Sequence, residues 1–189
     1  MPGEIQEDKT FTKIKADDIA AWQTFENCAF LACDFSAANF AGKLFADCRF
    51  EDCNLSLANV NDTGLQNIRF KHCKLSGVNF TKSRDFLFEM HFENCLLDNA
   101  VFFKKKNKKA IFKDCSMIEA DFTEADLTEV KFENCNLHRA FFERTILKNA
   151  DLSTSYNFII DPDNNDIKKA KFSAQGLPGL LAKYDIRII

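Results

Sequence analysis

The sequence predicts an all-β, four-sided solenoid, and three observations carry that expectation. A large apolar residue falls at every fifth position, a small residue sits two places before it, and similar tetrapeptides return every twenty residues. The large residues run Phe25, Phe30, Phe35, Phe40, Phe45, Phe50, then Leu55, Val60, Leu65, Phe70, Leu75 and Phe80. The beat resumes two residues out of phase at Leu87, Phe92, Leu97 and Phe102, and continues from Phe112 to Leu152. A period of five suits neither regular element. On a helix, at about 100° per residue, it spreads the side chains around every side; on a flat strand it alternates them between faces. Only a chain that turns a corner every five residues buries them together. Three residues then run extended, the first and third pointing inward, and two make the turn.

The longer period sets the number of sides. FLAC (30–33), FEDC (50–53) and FKHC (70–73) recur at twenty residues, as do FENC (92–95), FKDC (112–115) and FENC (132–135) after the slip. Twenty divided by five gives four sides per coil. Successive coils should therefore stack Phe30, Phe50, Phe70, Phe92, Phe112 and Phe132 in one internal ladder, with Cys33, Cys53, Cys73, Cys95, Cys115 and Cys135 in a second. The pentads amount to about six to seven coils, a column roughly 30 Å tall at the inter-strand spacing.

Composition agrees with a dry column. The 189 residues fit one domain, and 21 Phe stand against one Trp and two Tyr. Phe carries no polar group that would need a partner inside. A formal charge of −3 shows no bulk basic character. Residues 1–8 lack the apolar core of a signal peptide, and no run approaches 18 apolar residues, so a cytoplasmic protein without a membrane span is expected. All eight Cys occupy the small inward slot at C-x4-C spacing, unlike the C-x2-C of zinc sites, and are expected to pack as reduced thiols. His72, His91 and His138 face outward on different coils, and there is no nucleophile–base set or Gly-rich phosphate loop. No catalysis and no cofactor are expected.

The pentads Cys33-Asp34-Phe35-Ser36-Ala37, Ala120-Asp121-Phe122-Thr123-Glu124 and Ala125-Asp126-Leu127-Thr128-Glu129 resemble the pentapeptide-repeat consensus. The resemblance implies a right-handed quadrilateral β-helix. Residues 1–22, with Phe11, Ile14, Ile19 and Trp22 off the beat, are expected to be an N-terminal cap; residues 23–157 form the solenoid and 158–189 a C-terminal cap. In that tail, Asp161-Pro162-Asp163-Asn164-Asn165 is turn chemistry. Ser173 can N-cap a short helix through Tyr184, and Ile186, Ile188 and Ile189 read as a final strand. The tail resembles that of the Qnr, MfpA and McbG proteins, which protect DNA gyrase. This resemblance implies a homodimer through Leu177, Leu180, Leu181, Tyr184, Ile186 and Ile188; the alternative is a helix that plugs the last coil of a monomer.

One side of the column is irregular. Lys43, Asp85, Lys105 and Asn107 fall in inward slots, which a dry interior rejects. The chain is therefore expected to bulge twice, once around Arg84, Asp85, Phe86 and Phe88, and once as a projecting basic turn of Lys104, Lys105, Lys106, Asn107, Lys108 and Lys109. That turn reads either as a solvated surface defect or as a partner-binding loop. Between Phe25 and Leu152 there are 19 acidic and 17 basic residues, five of the latter in this run, so the remaining coils carry 19 − 12, or seven, net negative charges. The function expected is non-enzymatic protein binding. The resemblance makes the partner DNA gyrase or topoisomerase IV, approached by mimicking DNA, with quinolone or toxin protection as the outcome; the alternative is a generic interaction scaffold. Direct nucleic-acid binding is not expected, since the lysine run lacks stacking aromatics.

Overall fold

The computed structural model describes residues 5–187. Eleven short strands follow one another as β1 (Ile5–Glu7), β2 (Thr10–Thr12), β3 (Thr24–Glu26), β4 (Ala29–Leu31), β5 (Leu44–Ala46) and β6 (Arg49–Glu51), then β7 (Gly64–Gln66), β8 (Ile68–Lys71), β9 (Met90–Glu93), β10 (Ile111–Lys113) and β11 (Lys131–Glu133). They assemble into two parallel sheets on adjacent sides of a solenoid. One has the order β1-β3-β5-β7 and the other β2-β4-β6-β8-β9-β10-β11. The two remaining sides are stitched by single-residue parallel bridges, such as Asp34↔Asn54↔Lys74 and Asn79↔Val101↔Asp121.

The register is what the twenty-residue spacing requires. Phe30, Phe50, Phe70, Phe92, Phe112 and Phe132 pair in turn across the seven-stranded sheet. Their rings stack at centroid distances between 4.6 and 5.2 Å, close to the strand spacing. A parallel stack, Phe80, Phe102, Phe122 and Phe142, rises on another side. Rings on neighbouring sides meet edge to face, as Phe102 does with Phe112 at 89°, the arrangement favoured by the ring quadrupole. The void between Phe40, Val60 and Phe80 measures about 10 Å³, no more than a single water requires.

The small inward slot has a chemical rule beyond size. Its side chain donates to the carbonyl of the large residue one coil below: Cys53 Sγ to Phe30 O at 3.3 Å, Cys73 Sγ to Phe50 O at 3.3 Å and Cys135 Sγ to Phe112 O at 3.2 Å. The same bond is made by Thr63 to Phe40 O, Thr145 to Phe122 O and Ser155 to Phe132 O at 2.7–2.8 Å. Thiol and hydroxyl are interchangeable here because each is a small donor on a short stem. All eight thiols are free and buried.

The corners demand left-handed backbone. Asn27, Asp47 and Asn67 take φ of 48–51° at one corner, and Asn94, Asp114 and Asn134 take 52° at the next. Asn and Asp tolerate that region better than other residues with a Cβ. Their side chains also bond between coils, Asn67 to Asp47 and Asn134 to Asp114, each at 2.7 Å.

Both ends depart from the sequence-based boundaries. Ile5 pairs with Thr24 and Phe11 with Phe30, so coil structure begins inside the segment expected to be a cap. That first coil is 19 residues long because a 3-10 helix, Ala16–Ile19, replaces one pentad, and Gln6 occupies the Phe25 ladder. The short count and the glutamine hide the beat. At the other end, Ile146↔Asp166 and Asp151↔Lys171 carry coil structure beyond residue 157. Asn165 sits in the inward slot, donating to Phe142 O and accepting from Thr145 N.

Ser173 caps the terminal helical segment as expected, its Oγ accepting from Gly176 N at 3.1 Å. A 3-10 turn (Ala174–Gly176) leads into α1 (Leu177–Leu181) and a second 3-10 turn (Ala182–Tyr184). The helix backbone lies directly on residue 158: the Phe158 carbonyl leaves no room for a Cβ on Gly179. Leu180 is buried, Leu181 half-buried, and Leu177 and Tyr184 exposed. Ile186 is exposed and in no strand, while Ile188 and Ile189 lie outside the described residues.

Two predictions follow from the interior. Phe112→Ala, at a fully buried rung, should cost about 3–5 kcal/mol in urea unfolding; a loss below 1 kcal/mol would contradict a close-packed ladder. Burial raises the Cys48 thiol to about 12, and the neighbouring Cys53 thiol, with burial, raises Cys73 to about 12. The unfolded thiols ionise near 9 while the folded ones stay protonated, so the contribution of these two thiols to stability should be constant well below pH 9 and fall from there towards pH 12. Each such thiol contributes a slope of about 1.4 kcal/mol per pH unit. Cys73→Ala should flatten the fall, read as the urea midpoint at pH 8 against pH 10.5.

Candidate functional site

A solenoid with every side chain in register presents a smooth column, so an insertion is conspicuous. The spacing between paired residues rises from twenty to 22 at Ile68↔Met90, which confines the two extra residues to the stretch between Ser83 and Met90. Up to Ser83 the chain keeps the regular frame: Arg84 N bonds Thr63 O at 2.9 Å, and the buried Ser83 Oγ donates to Phe80 O at 2.7 Å. It then turns sharply, Phe88 N bonding Asp85 O at 3.3 Å with Leu87 at φ 54°. Phe86 and Leu87 form the tip and are 72% and 62% exposed. Phe88 swings back inside, 7% exposed, its ring edge-on to Phe80.

The first expected irregularity is therefore present, with a correction. Asp85 is not inward; Ser83 holds its slot. Leu87 is not the large inward residue of this coil, because the turn displaces the chain and Phe88 fills the place one residue later. The tip's Leu87 was missed by sequence reasoning. The available signal was the run Phe86-Leu87-Phe88, three apolar residues where a pentad places one.

The second expected irregularity is absent, and the basic run does not project. Residues 104–109 follow the regular frame, with Lys104 N on Thr123 O and Lys109 N on Thr128 O at 2.9–3.0 Å. Lys105 and Asn107 point inward, 2% and 0% exposed. They are not unpaired, and that is why the frame survives. Lys105 Nζ donates to Ser83 O at 2.6 Å and to Asp85 Oδ1 at 2.6 Å, and lies 4.7 Å from the centre of the Phe88 ring. Asn107 bonds the Met90 backbone twice, accepting from its N–H at 3.0 Å and donating to its carbonyl at 3.1 Å. The coil carrying the lysine run thus grips the loop of the coil beneath.

The loop is also tied from below. Arg84 reaches back a coil to Asp62, Nε to Oδ1 at 3.0 Å and Nη2 to Oδ2 at 3.3 Å, and Nη2 also meets Gly42 O. The bond from Arg84 holds the Asp62 carboxyl below its ordinary range.

The basic spur is electrostatically quenched as well. Lys104 pairs with Glu124, Lys108 with Asp126 and Lys109 with Glu129, each acid one coil further on. Arg144 then joins Glu124 from the other side at 2.7 Å. Acid and base alternate up the column, so the charge separation expected between spur and rod is dispersed. Among the described residues no group of His, Cys, Asp and Glu could hold a metal ion, and no helix is long and apolar enough to cross a membrane.

Comparison with known proteins accords with this architecture. A family model described as a pentapeptide repeat region matches residues 23–84, and one described as pentapeptide repeats (8 copies) matches residues 125–153. No curated protein matches the chain. Among solved structures, full-length QnrB1, a plasmid-mediated fluoroquinolone resistance protein, aligns with a TM-score of 0.65 at 18% identity, covering 97% of this chain and 100% of that one. A trypsin-treated QnrB1 variant gives 0.63 at 18% identity over 98% of both chains. HetL, a pentapeptide repeat protein involved in heterocyst differentiation regulation in the cyanobacterium Nostoc, covers 89% of this chain and 85% of its own at 14% identity, with a TM-score of 0.41. The repeat in the sequence, the stacked four-sided coils and the two family matches agree: residues 23–84 and 125–153 are pentapeptide-repeat segments of a four-sided β-solenoid.

Proposed function

We propose that this protein is a non-enzymatic, cytoplasmic, protein-binding solenoid whose partner is a type II topoisomerase, DNA gyrase or topoisomerase IV, and that binding blunts a quinolone or toxin. The observation that carries the reading is the Phe86–Leu87 tip, two adjacent apolar side chains raised from an otherwise regular column. A few residues supply most of the energy at protein interfaces, and an exposed apolar pair on a projecting turn is the kind of feature that marks a contact site. Similarity in fold to QnrB1 along nearly the whole chain supports the choice of partner.

The test is a gyrase supercoiling assay with purified protein, with and without ciprofloxacin. Inhibition of supercoiling, or rescue from the drug, is expected at micromolar protein. Absence of inhibition, rescue and binding together would remove the topoisomerase.

A specific observation favours a second reading, a scaffold for an unrelated protein. Ion pairing between coils occupies Glu124, Asp126 and Glu129, which reduces the acidic surface of this side that DNA mimicry would use, whereas an apolar tip serves any protein partner.

The C-terminal end completes the proposal. Leu177, Tyr184 and Ile186 are 47–56% exposed around α1, and a two-fold contact between copies would cover them. Light scattering at micromolar concentration should give twice the monomer mass, and Leu177→Asp should return the monomer. A monomeric native protein would reduce the helix to a plug.

A further inference from the structure

We propose that Lys105 and Asn107 are positioning residues for recognition: from the coil above, they hold the Phe86–Leu87 tip as a rigid, preformed contact. This rests on the reading of the tip as the contact with a protein partner, but is tested separately from it.

The inward slot that Lys105 occupies does not call for a lysine. Other coils of the same column fill it with Thr63, Ser83, Ala125 or Thr145. A buried ammonium is costly unless all its donors are met. Here three donors face three acceptors, and all belong to the loop: the Ser83 carbonyl, the Asp85 carboxylate and the Phe88 ring. One side chain therefore fixes the entry to the turn, its first corner and the residue where it re-enters the core.

Asn107 fixes the exit. The insertion carries the chain out of register just before Met90, and the Asn107 amide satisfies both backbone groups of that residue, as a neighbouring strand would. Between the two clamps the apolar side chains left uncovered are Phe86 and Leu87. A tip held in one shape loses little freedom on binding, so its apolar surface is turned into affinity more fully.

Lys43 shows that the device is used twice. It occupies the same inward slot, is 5% exposed, and donates to the carbonyls of Ile19, Ala20 and Trp22. Ile19 and Ala20 end the 3-10 helix that interrupts the first coil, and Trp22 follows it. Each inward lysine stands one coil above an irregular segment and donates to that segment's acceptors.

The experiment is hydrogen–deuterium exchange on native protein, Lys105→Met and Asp85→Ala. Asp85→Ala leaves the buried ammonium short of one acceptor, whereas Lys105→Met removes the charge with its bonds, so the two variants break the clamp in different ways. In the native protein, residues 84–90 should exchange slowly. Both variants should speed that segment about tenfold or more, with β6, β10 and β11 unchanged. Free exchange of 84–90 in the native protein would overturn the assignment, as would unchanged protection in both variants or a uniform loss across the chain. Gyrase binding by Phe86→Ser/Leu87→Ser and by Lys105→Met is measured in parallel. If the native protein binds, both should weaken it, and a Lys105→Met variant with a freed tip and native affinity would overturn the recognition role. If the native protein does not bind gyrase, the topoisomerase falls, and exchange alone decides whether the clamp exists.

Discussion

Every coil must lie on the coil beneath it at the spacing of a parallel β-ladder, about 4.8 Å, and everything else in the molecule is subordinate to that stacking. It places like residues over like, turning a run of Phe into a column of rings and a run of small donors into a column of bonds to carbonyls. It also explains the tolerance of the inward slots. A side chain need not be apolar to be buried here; it must find its partners in the coil below. Cys, Thr and Ser meet that condition with one bond, and Lys and Asn meet it where the coil below has groups to spare.

The same rule separates what could be read in the sequence from what could not. The beat and its twenty-residue return reveal the sides, the ladders and the corners, because each depends on one residue repeated many times. The first coil escapes notice because Ala16–Ile19 shortens it and Gln6 breaks its ladder. Lys105 and Asn107 are foreign to a dry interior, yet they are buried and paired there rather than expelled. Burial of Lys105 depends on a carbonyl and a carboxylate supplied about twenty residues earlier, in a segment whose own path had to be known first. Exposure of Leu87 rather than Phe88 is a shift of one residue, and a periodic pattern has no power to resolve it at the point where the period fails.

Charge follows the stacking too. A lysine over a glutamate one coil away is an ion pair whatever their separation in sequence, so a block of five lysines need not make a basic surface. Acids at Glu124, Asp126 and Glu129 lie over that block. Each exposed pair adds little stability, but together they flatten the potential of this side and leave the apolar tip as its most distinctive feature.

The insertion in the coil has a consequence for evolution and for engineering. Because the solenoid advances by a fixed rise per coil, the number of coils between the tip and the C-terminal helix sets their separation. Duplicating or deleting twenty residues between them would lengthen or shorten that separation by about 4.8 Å and keep both features on their original sides. Adding a single pentad would instead swing one of them a quarter turn around the column. The molecule behaves as a ruler with four-fold indexing, on which spacing and direction between two contact points can be set independently.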